Sequence, residues 1–163
     1  MKTRTTREKW FIAAFGTIVL AAYFSIAAIG NTDIYSLTRV LTGKNLGCNL
    51  QNIDLSGINK PETGLAGADL EYAVLSGANL RDSNFTGAFM RYANLSGADL
   101  QNAILRNAVL NSTNMTDVDL RGADLRGAYL VDADLTGALV TTAQLESTHT
   151  LVGATMPDGR QHK

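Results

Sequence analysis

Two hydrophobic patterns divide the chain. From Trp10 to Gly30 the run WFIAAFGTIVLAAYFSIAAIG carries no charge for 21 residues, and as an α-helix rising ~1.5 Å per residue it would span a hydrocarbon core of ~30 Å. From Cys48 to Ser147 apolar positions return every five residues through twenty units without a phase slip, as in Ala68-Asp69-Leu70, Ala78-Asn79-Leu80, Ala98-Asp99-Leu100 and Ala123-Asp124-Leu125. Nineteen of the twenty unit centres are apolar: leucine except for Phe85, Met90, Met115 and Val140, with Lys60 the exception. The residue two places before the centre is alanine in thirteen units. An α-helix would scatter such positions, because five residues advance it about 140° past a full turn. An uninterrupted strand would need a period of two. The pattern instead sets two inward residues on either side of one outward residue and then turns a corner. Each unit is one short side of a coil, with small and large side chains alternating inside a narrow bore.

These units resemble the pentapeptide-repeat family, whose consensus is Ala-Asp/Asn-Leu-x-x. The resemblance covers about two thirds of the chain. It implies an all-β repeat fold, a right-handed quadrilateral β-helix (a solenoid) with four units per coil and about five coils, roughly 24 Å tall at ~4.8 Å per coil. The stretch from Leu41-Thr42 to Cys48-Asn49-Leu50 and the closing GATMPDG are similar to cyanobacterial members.

A rod of this kind has two ends to cover. Residues 33–43, DIYSLTRVLTG, predict a short capping helix: Asp33 caps its start, Ile34, Leu37, Val40 and Leu41 form an apolar stripe, and Gly43 ends it. At the other end the register slips by one residue between Leu145 and Leu151, and Gly153-Ala154-Thr155-Met156 predicts a last partial turn stopped by Pro157-Asp158-Gly159. In the first coil Lys60 sits at a centre within NKPETG, and residues 59–64 are expected to bulge outward as a loop.

The apolar run predicts a retained transmembrane helix. A cleaved signal peptide is the competing expectation, because a basic start precedes it and Ser25-Ile26-Ala27 offers a small-x-small site, yet a signal core usually covers roughly 7–15 residues and this one continues past that site. Lys2, Arg4, Arg7 and Lys9 precede the span while Arg39 and Lys44 follow it, so the amino terminus is expected in the cytoplasm and the repeats in the thylakoid lumen or periplasm. Ala13, Ala14, Thr17, Ala21, Ser25 and Ala28 share one side of the helix, a docking face for a partner span because small residues let backbones approach in lipid. The domains are then a basic tail (1–9), the transmembrane helix or signal peptide (10–30), a linker and capping helix (31–47), the β-helix (48–156) and a C-terminal tail (157–163).

Charge sharpens this division. The formal net charge of −1 combines a basic tail with a body that holds twelve acids against six bases between residues 48 and 147. Catalytic chemistry finds no footing. The two histidines, His149 and His162, lie at the far end; Cys48, the one cysteine, occupies an inward small position and reads as packing. The pairs Asp117/Asp119 and Asp132/Asp134 are expected to face water as repeat decoration, without the cleft an acid/base pair needs. No enzyme activity, cofactor, metal or small-molecule substrate is expected.

The outward positions say more. Residues twenty apart stack in columns, and on the side centred on Leu70, Met90, Leu110 and Leu130 the residue before the centre reads Asp69, Phe89, Val109, Tyr129, where other sides carry mostly Asp or Asn. Tyr72, Tyr92 and Val131 join them, with Val74 around the corner, and such a patch commonly marks a binding surface. Stabilisation of vertical neighbours on a ladder is the plainer account of the same residues. The next side carries a hydroxyl column of Ser56, Ser76, Ser96, Thr116 and Thr136. The expected function is a membrane-anchored scaffold or accessory subunit whose rod binds a larger membrane protein complex, a photosynthetic one being the natural partner in a cyanobacterium. The alternatives are a free lumenal or periplasmic rod after signal cleavage, and the acidic, DNA-mimicking, gyrase-binding role that the family resemblance implies. Export argues against the latter, so no nucleic acid is expected.

Overall fold

The structure, a computed structural model, describes residues 47–163. The expected membrane helix with its docking face of Ala13, Thr17, Ala21, Ser25 and Ala28, and the expected capping helix, lie outside the described residues. Among the described residues no helix is long and apolar enough to cross a membrane.

Parallel bridges join residues twenty apart, running Asn49, Asp69, Phe89, Val109, Tyr129 on one side and Asp54, Val74, Asn94, Asn114, Asp134 on the next. Four units therefore close one coil. The first side is centred on Leu50, Leu70, Met90, Leu110 and Leu130, and the second on Leu55, Leu75, Leu95, Met115 and Leu135. The third is centred on Lys60, Leu80, Leu100, Leu120 and Val140, and the fourth on Leu65, Phe85, Leu105 and Leu125. Along the regular coils the centres donate their N–H to the outward residue of the next coil, as Leu70 does to the Phe89 carbonyl at 2.7 Å, and the outward residues donate to the preceding coil, as Phe89 does to Ala68 at 2.9 Å. The ladder accounts for backbone groups that would otherwise be buried unpaired.

The period of five comes from the corner. Two residues after each centre the chain enters the left-handed region, from Asp117 at φ +54° to Gly122 at φ +73°. The N–H after it closes back on the centre, as Ala73 does on the Leu70 carbonyl at 3.0 Å. Positive φ at the third residue of a four-residue turn is the mark of a type II turn, which favours Gly, Asn or Asp there. Gly127 shows the requirement: its φ is +71°, and a Cβ on it would strike the side chain of Asn107 one coil earlier.

Inside, the leucine, phenylalanine and methionine centres from Leu65 to Leu135 and the alanines beside them are buried. Three polar residues share that interior and all are bonded: Thr63 N–H donates to Ser83 Oγ at 2.9 Å, Thr113 Oγ1 to the Met90 carbonyl at 2.9 Å, and Ser83 Oγ to the Arg81 carbonyl at 3.4 Å. Cys48 is buried, in keeping with its inward position.

Two segments depart from the sequence-based expectation. Residues 59–64 do not bulge: Asn59 bridges Asn79, Gly64 bridges Asn84, and Lys60 N–H donates to the Asn79 carbonyl at 2.9 Å. Pro61 falls at the second turn position, where a fixed φ near −65° suits a type II turn and no N–H is needed, and Glu62 takes the corner at φ +59°. Lys60 remains half-buried at its centre.

The twentieth unit is not a side of the coil but a helix, α1 (Thr142–Glu146). The corner before it falls on Thr142, a β-branched residue unsuited to positive φ. Thr141 and Gln144 instead form a capping box that starts the helix. Leu145 still turns inward and is buried, and Gln144 Nε2 donates to the carbonyls of Leu120 at 2.7 Å and Ala123 at 2.8 Å, replacing the missing rung. The expected one-residue slip follows, with bridges from Tyr129 to Thr150 and Asp134 to Thr155. Residues 157–163 are not a free tail, because the chain reverses so that Thr155 pairs antiparallel with Gln161. At the other end Gly47, assigned to the linker from the sequence, already donates to the Ala66 carbonyl at 3.0 Å.

Replacing Gln144 by Ala removes the side-chain half of the capping box and both rung-replacing bonds, and is expected to lower the unfolding free energy by ~1–3 kcal/mol. Leu100→Ala, in the middle of the bore, is expected to lower it by ~2–5 kcal/mol. Urea denaturation followed by circular dichroism reads both.

Candidate interaction face

The consensus Asp and Asn have a local task. All but Asn59, which is followed two places on by Pro61, accept the backbone N–H two residues on, as Asn94 does from Ser96 at 3.1 Å, Asp99 from Gln101 at 3.1 Å and Asp134 from Thr136 at 3.0 Å. The carboxylate or amide thereby braces the entrance to its own corner. Arginines then hold several of these acids: Arg121 pairs with Asp119 at 2.6 Å, Arg126 with Asp124 at 2.6 Å and Arg81 with Asp99 at 3.2 Å. The Arg121 side chain holds the Asp119 carboxyl below its ordinary range. The Arg126 side chain, helped by Arg106, holds Asp124 well below it, and the Ser56 backbone N–H lowers Asp54. Asp119 and Asp134 are thus half-buried structural acceptors, while Asp117 and Asp132 sit exposed at corners. The hydroxyl column follows the same rule: Thr116 Oγ1 donates to Asn114 at 2.9 Å, and Thr136 Oγ1 donates to Asp134 at 2.6 Å.

The first side abandons this device over three successive coils. Phe89, Val109 and Tyr129 occupy the bracing position and stack in one bridge column between Asp69 and Thr150. Phe89 is 45% exposed, and Val109, Tyr129 and Val131 are half-buried rather than fully open. Tyr129 is partly covered by His149, whose ring lies 4.5 Å from it and tilted by 47°. Val152, 59% exposed, lies one rung beyond Val131. The one-residue slip that moves it there is visible in the sequence, but its place on this side follows only once the ladder is built.

Tyr72 and Tyr92 stand at successive corners of the first side with φ of +60° and +59°. Bulky residues rarely hold this conformation, which costs ~1–2 kcal/mol each. Their rings stack at 5.0 Å with 12° between planes, a contact contributing ~0.5–1.5 kcal/mol, and both remain 53% exposed. Stacking therefore offsets only part of the backbone strain of the two corners. The first side accordingly gathers all six residues singled out from the sequence: Tyr72, Phe89, Tyr92, Val109, Tyr129 and Val131. Ile104 and Leu139, also exposed, stand apart on the fourth and third sides.

Both histidines lie at the C-terminal end of the rod, lining an open cleft of ≈ 830 Å³ with Val140, Leu145 and Met156. Among the described residues no group of three His, Cys, Asp or Glu is placed to hold a metal ion.

The family model described as pentapeptide repeats matches residues 65–102 and 103–141, in eight copies. A pentapeptide repeat protein from Nostoc PCC 7120 is 37% identical over 63% of this chain and 80% of its own, with a TM-score of 0.40. The chain belongs to the pentapeptide-repeat family. The chain's fold is similar to that of a pentapeptide repeat protein from the Arabidopsis thaliana thylakoid lumen, with a TM-score of 0.58 at 27% identity over 68% of this chain and 73% of that one. HetL, a pentapeptide repeat protein involved in heterocyst differentiation regulation from Nostoc sp. strain PCC 7120, is 36% identical over 74% of this chain, with a TM-score of 0.29. The match spans 52% of HetL, about half its length. No curated protein matches the chain. As a pentapeptide-repeat solenoid, the rod is a repeat scaffold.

Two outcomes follow. The lowered carboxyls of Asp54, Asp119 and Asp124 bind protons less readily folded than unfolded, so their stabilisation is complete above the unfolded value of 3.8 and is lost as pH falls through the folded values. The melting temperature should be level from about pH 8 to 5 and drop below about pH 4. The double replacement Tyr72→Asn/Tyr92→Asn relieves the strained corners while removing the stack, and should leave stability within ~1 kcal/mol of the parent or raise it. A loss of several degrees in thermal denaturation would make the tyrosine stack structural.

Proposed function

We propose that this chain is a membrane-anchored, non-catalytic scaffold or accessory subunit whose rod binds a larger membrane protein complex through its first side. One observation carries the proposal. Three consecutive coils give up the Asp/Asn brace to present Phe89, Val109 and Tyr129, beside two tyrosines at corners their backbone disfavours. Strain and exposed aromatic surface kept together, against local stability, favour a binding role. The uncharged run at 10–30, with its small-residue face of Ala13, Thr17, Ala21, Ser25 and Ala28, supplies the anchor. The basic residues before that run favour a rod on the lumenal or periplasmic side.

A free lumenal or periplasmic rod, released by cleavage near Ala27, is the second proposal. The likeness to a thylakoid lumen protein favours it.

Both are tested by purifying the tagged protein from gently solubilised membranes beside a Phe89→Asp/Tyr129→Asp variant, with partners and intact mass read by mass spectrometry. The expected result is a full-length chain with a defined membrane complex that the variant loses. A chain trimmed near Ala27, soluble and without partners, would overturn the anchored scaffold in favour of the free rod.

A further inference from the structure

The rod's charge is not spread evenly around it. Between Cys48 and Ser147 the units of the third and fourth sides carry Lys60, Arg81, Arg106, Arg121 and Arg126, five of the six bases, against half of the twelve acids. The first and second sides carry Asp54, Asp69, Glu71, Asp117, Asp132 and Asp134 against Arg91 alone, and Arg91 is engaged by Glu71 at 3.3 Å. Nearly all the net negative charge of the repeats thus lies on the aromatic side and its neighbour. Within that half, Asp69 forms the rung beneath Phe89. The exposed Asp132 follows Val131 at the corner, and Asp134 opens the second side.

This distribution selects among occupants for an apolar face. A second copy placed face to face would set two such acidic fields against each other, and an anionic lipid surface would be repelled in the same way. A segment with aliphatic or aromatic residues on one face and lysine or arginine along its flanks satisfies both the column and its acidic border. We propose that the first side docks a basic amphipathic segment of the partner protein. The apolar residues of that segment cover Phe89, Val109 and Tyr129, and its cations reach Asp69, Asp132 and Asp134. The inference rests on the first side being the binding face proposed above, and adds the chemistry of what binds there.

The test uses the full chain in uncharged detergent micelles and three synthetic helical peptides with identical apolar positions and Lys, Gln or Glu at the polar ones, followed by fluorescence anisotropy. The Lys peptide is expected to bind about tenfold tighter than the Gln peptide, the size given by a few exposed ion pairs, with the advantage shrinking from about 50 to 500 mM salt. Asp132→Asn/Asp134→Asn should bring the Lys peptide close to the Gln peptide. Asp82→Asn, on the third side, should change nothing, and Phe89→Ser/Tyr129→Ser should weaken both peptides. Equal binding of the Lys and Gln peptides, or an unaffected Asp132→Asn/Asp134→Asn variant, overturns the basic partner, while weakening by Phe89→Ser/Tyr129→Ser would still leave the face a docking surface. Binding unchanged by Phe89→Ser/Tyr129→Ser overturns the face as well. A parent that dimerises through that face in sedimentation, with the dimer lost in the serine variant, would put a second copy there and overturn the proposal.

Discussion

A left-handed corner every fifth residue sets the geometry on which everything else in the rod depends. It ends each side after one bridge, so that four sides close and each residue meets the one twenty places on. Only then do the centre N–H groups find carbonyls in the next coil, and only then do the leucine and phenylalanine centres stack into a continuous bore. Glycine, asparagine and aspartate occupy most corners because the backbone demands it. Where Thr142 falls at a corner the coil gives way to α1, and a capping box with a glutamine amide supplies the bonds the lost rung would have made.

The outward acids are tied to the same geometry. An Asp or Asn ahead of a centre braces the N–H of the residue after that centre, and arginines on the third and fourth sides neutralise several of these acids. Solvent-facing decoration is therefore an incomplete description of Asp119 and Asp134, which serve their own corners. This makes the first side informative: it loses the brace in three successive coils, whereas the neighbouring sides lose it only in separate coils, at Val74, Gly64 and Ile104, and its two tyrosines are departures from the corner preference. Departures of both kinds on one side support the binding role proposed for it.

The last coil and the first described coil depart from the regular pattern in different ways. At the C-terminal end α1, the slipped partial coil and the returning strand cover much of the bore, leaving Val140, Leu151 and Met156 half-buried at a shallow cleft. In the first coil Leu55, Ile58 and Lys60 are also half-buried, yet the ladder already runs in register there, through Pro61 and Glu62 as well as through consensus residues. A segment that looks irregular by composition can satisfy a corner if its proline and its positive-φ residue fall at the right places.

The sequence by itself determined the five-residue side, the inward and outward positions, the four-sided coil implied by the family resemblance, the column of Phe89, Val109 and Tyr129, and the slip after Leu145. Periodicity suffices for these, because each depends only on which residues share a phase. Tertiary structure decided what depends on how a residue is held: that residues 59–64 stay in the ladder, that unit twenty becomes α1, that Tyr72 and Tyr92 stack at strained corners, and that Tyr129 lies half under His149. It also decided how the charges are paired: arginines hold Asp99, Asp119 and Asp124 on the third and fourth sides, while on the aromatic side Arg91 holds Glu71. Phase fixes which side a residue occupies. Backbone conformation and reach across coils fix what it does there, and neither is written in the spacing.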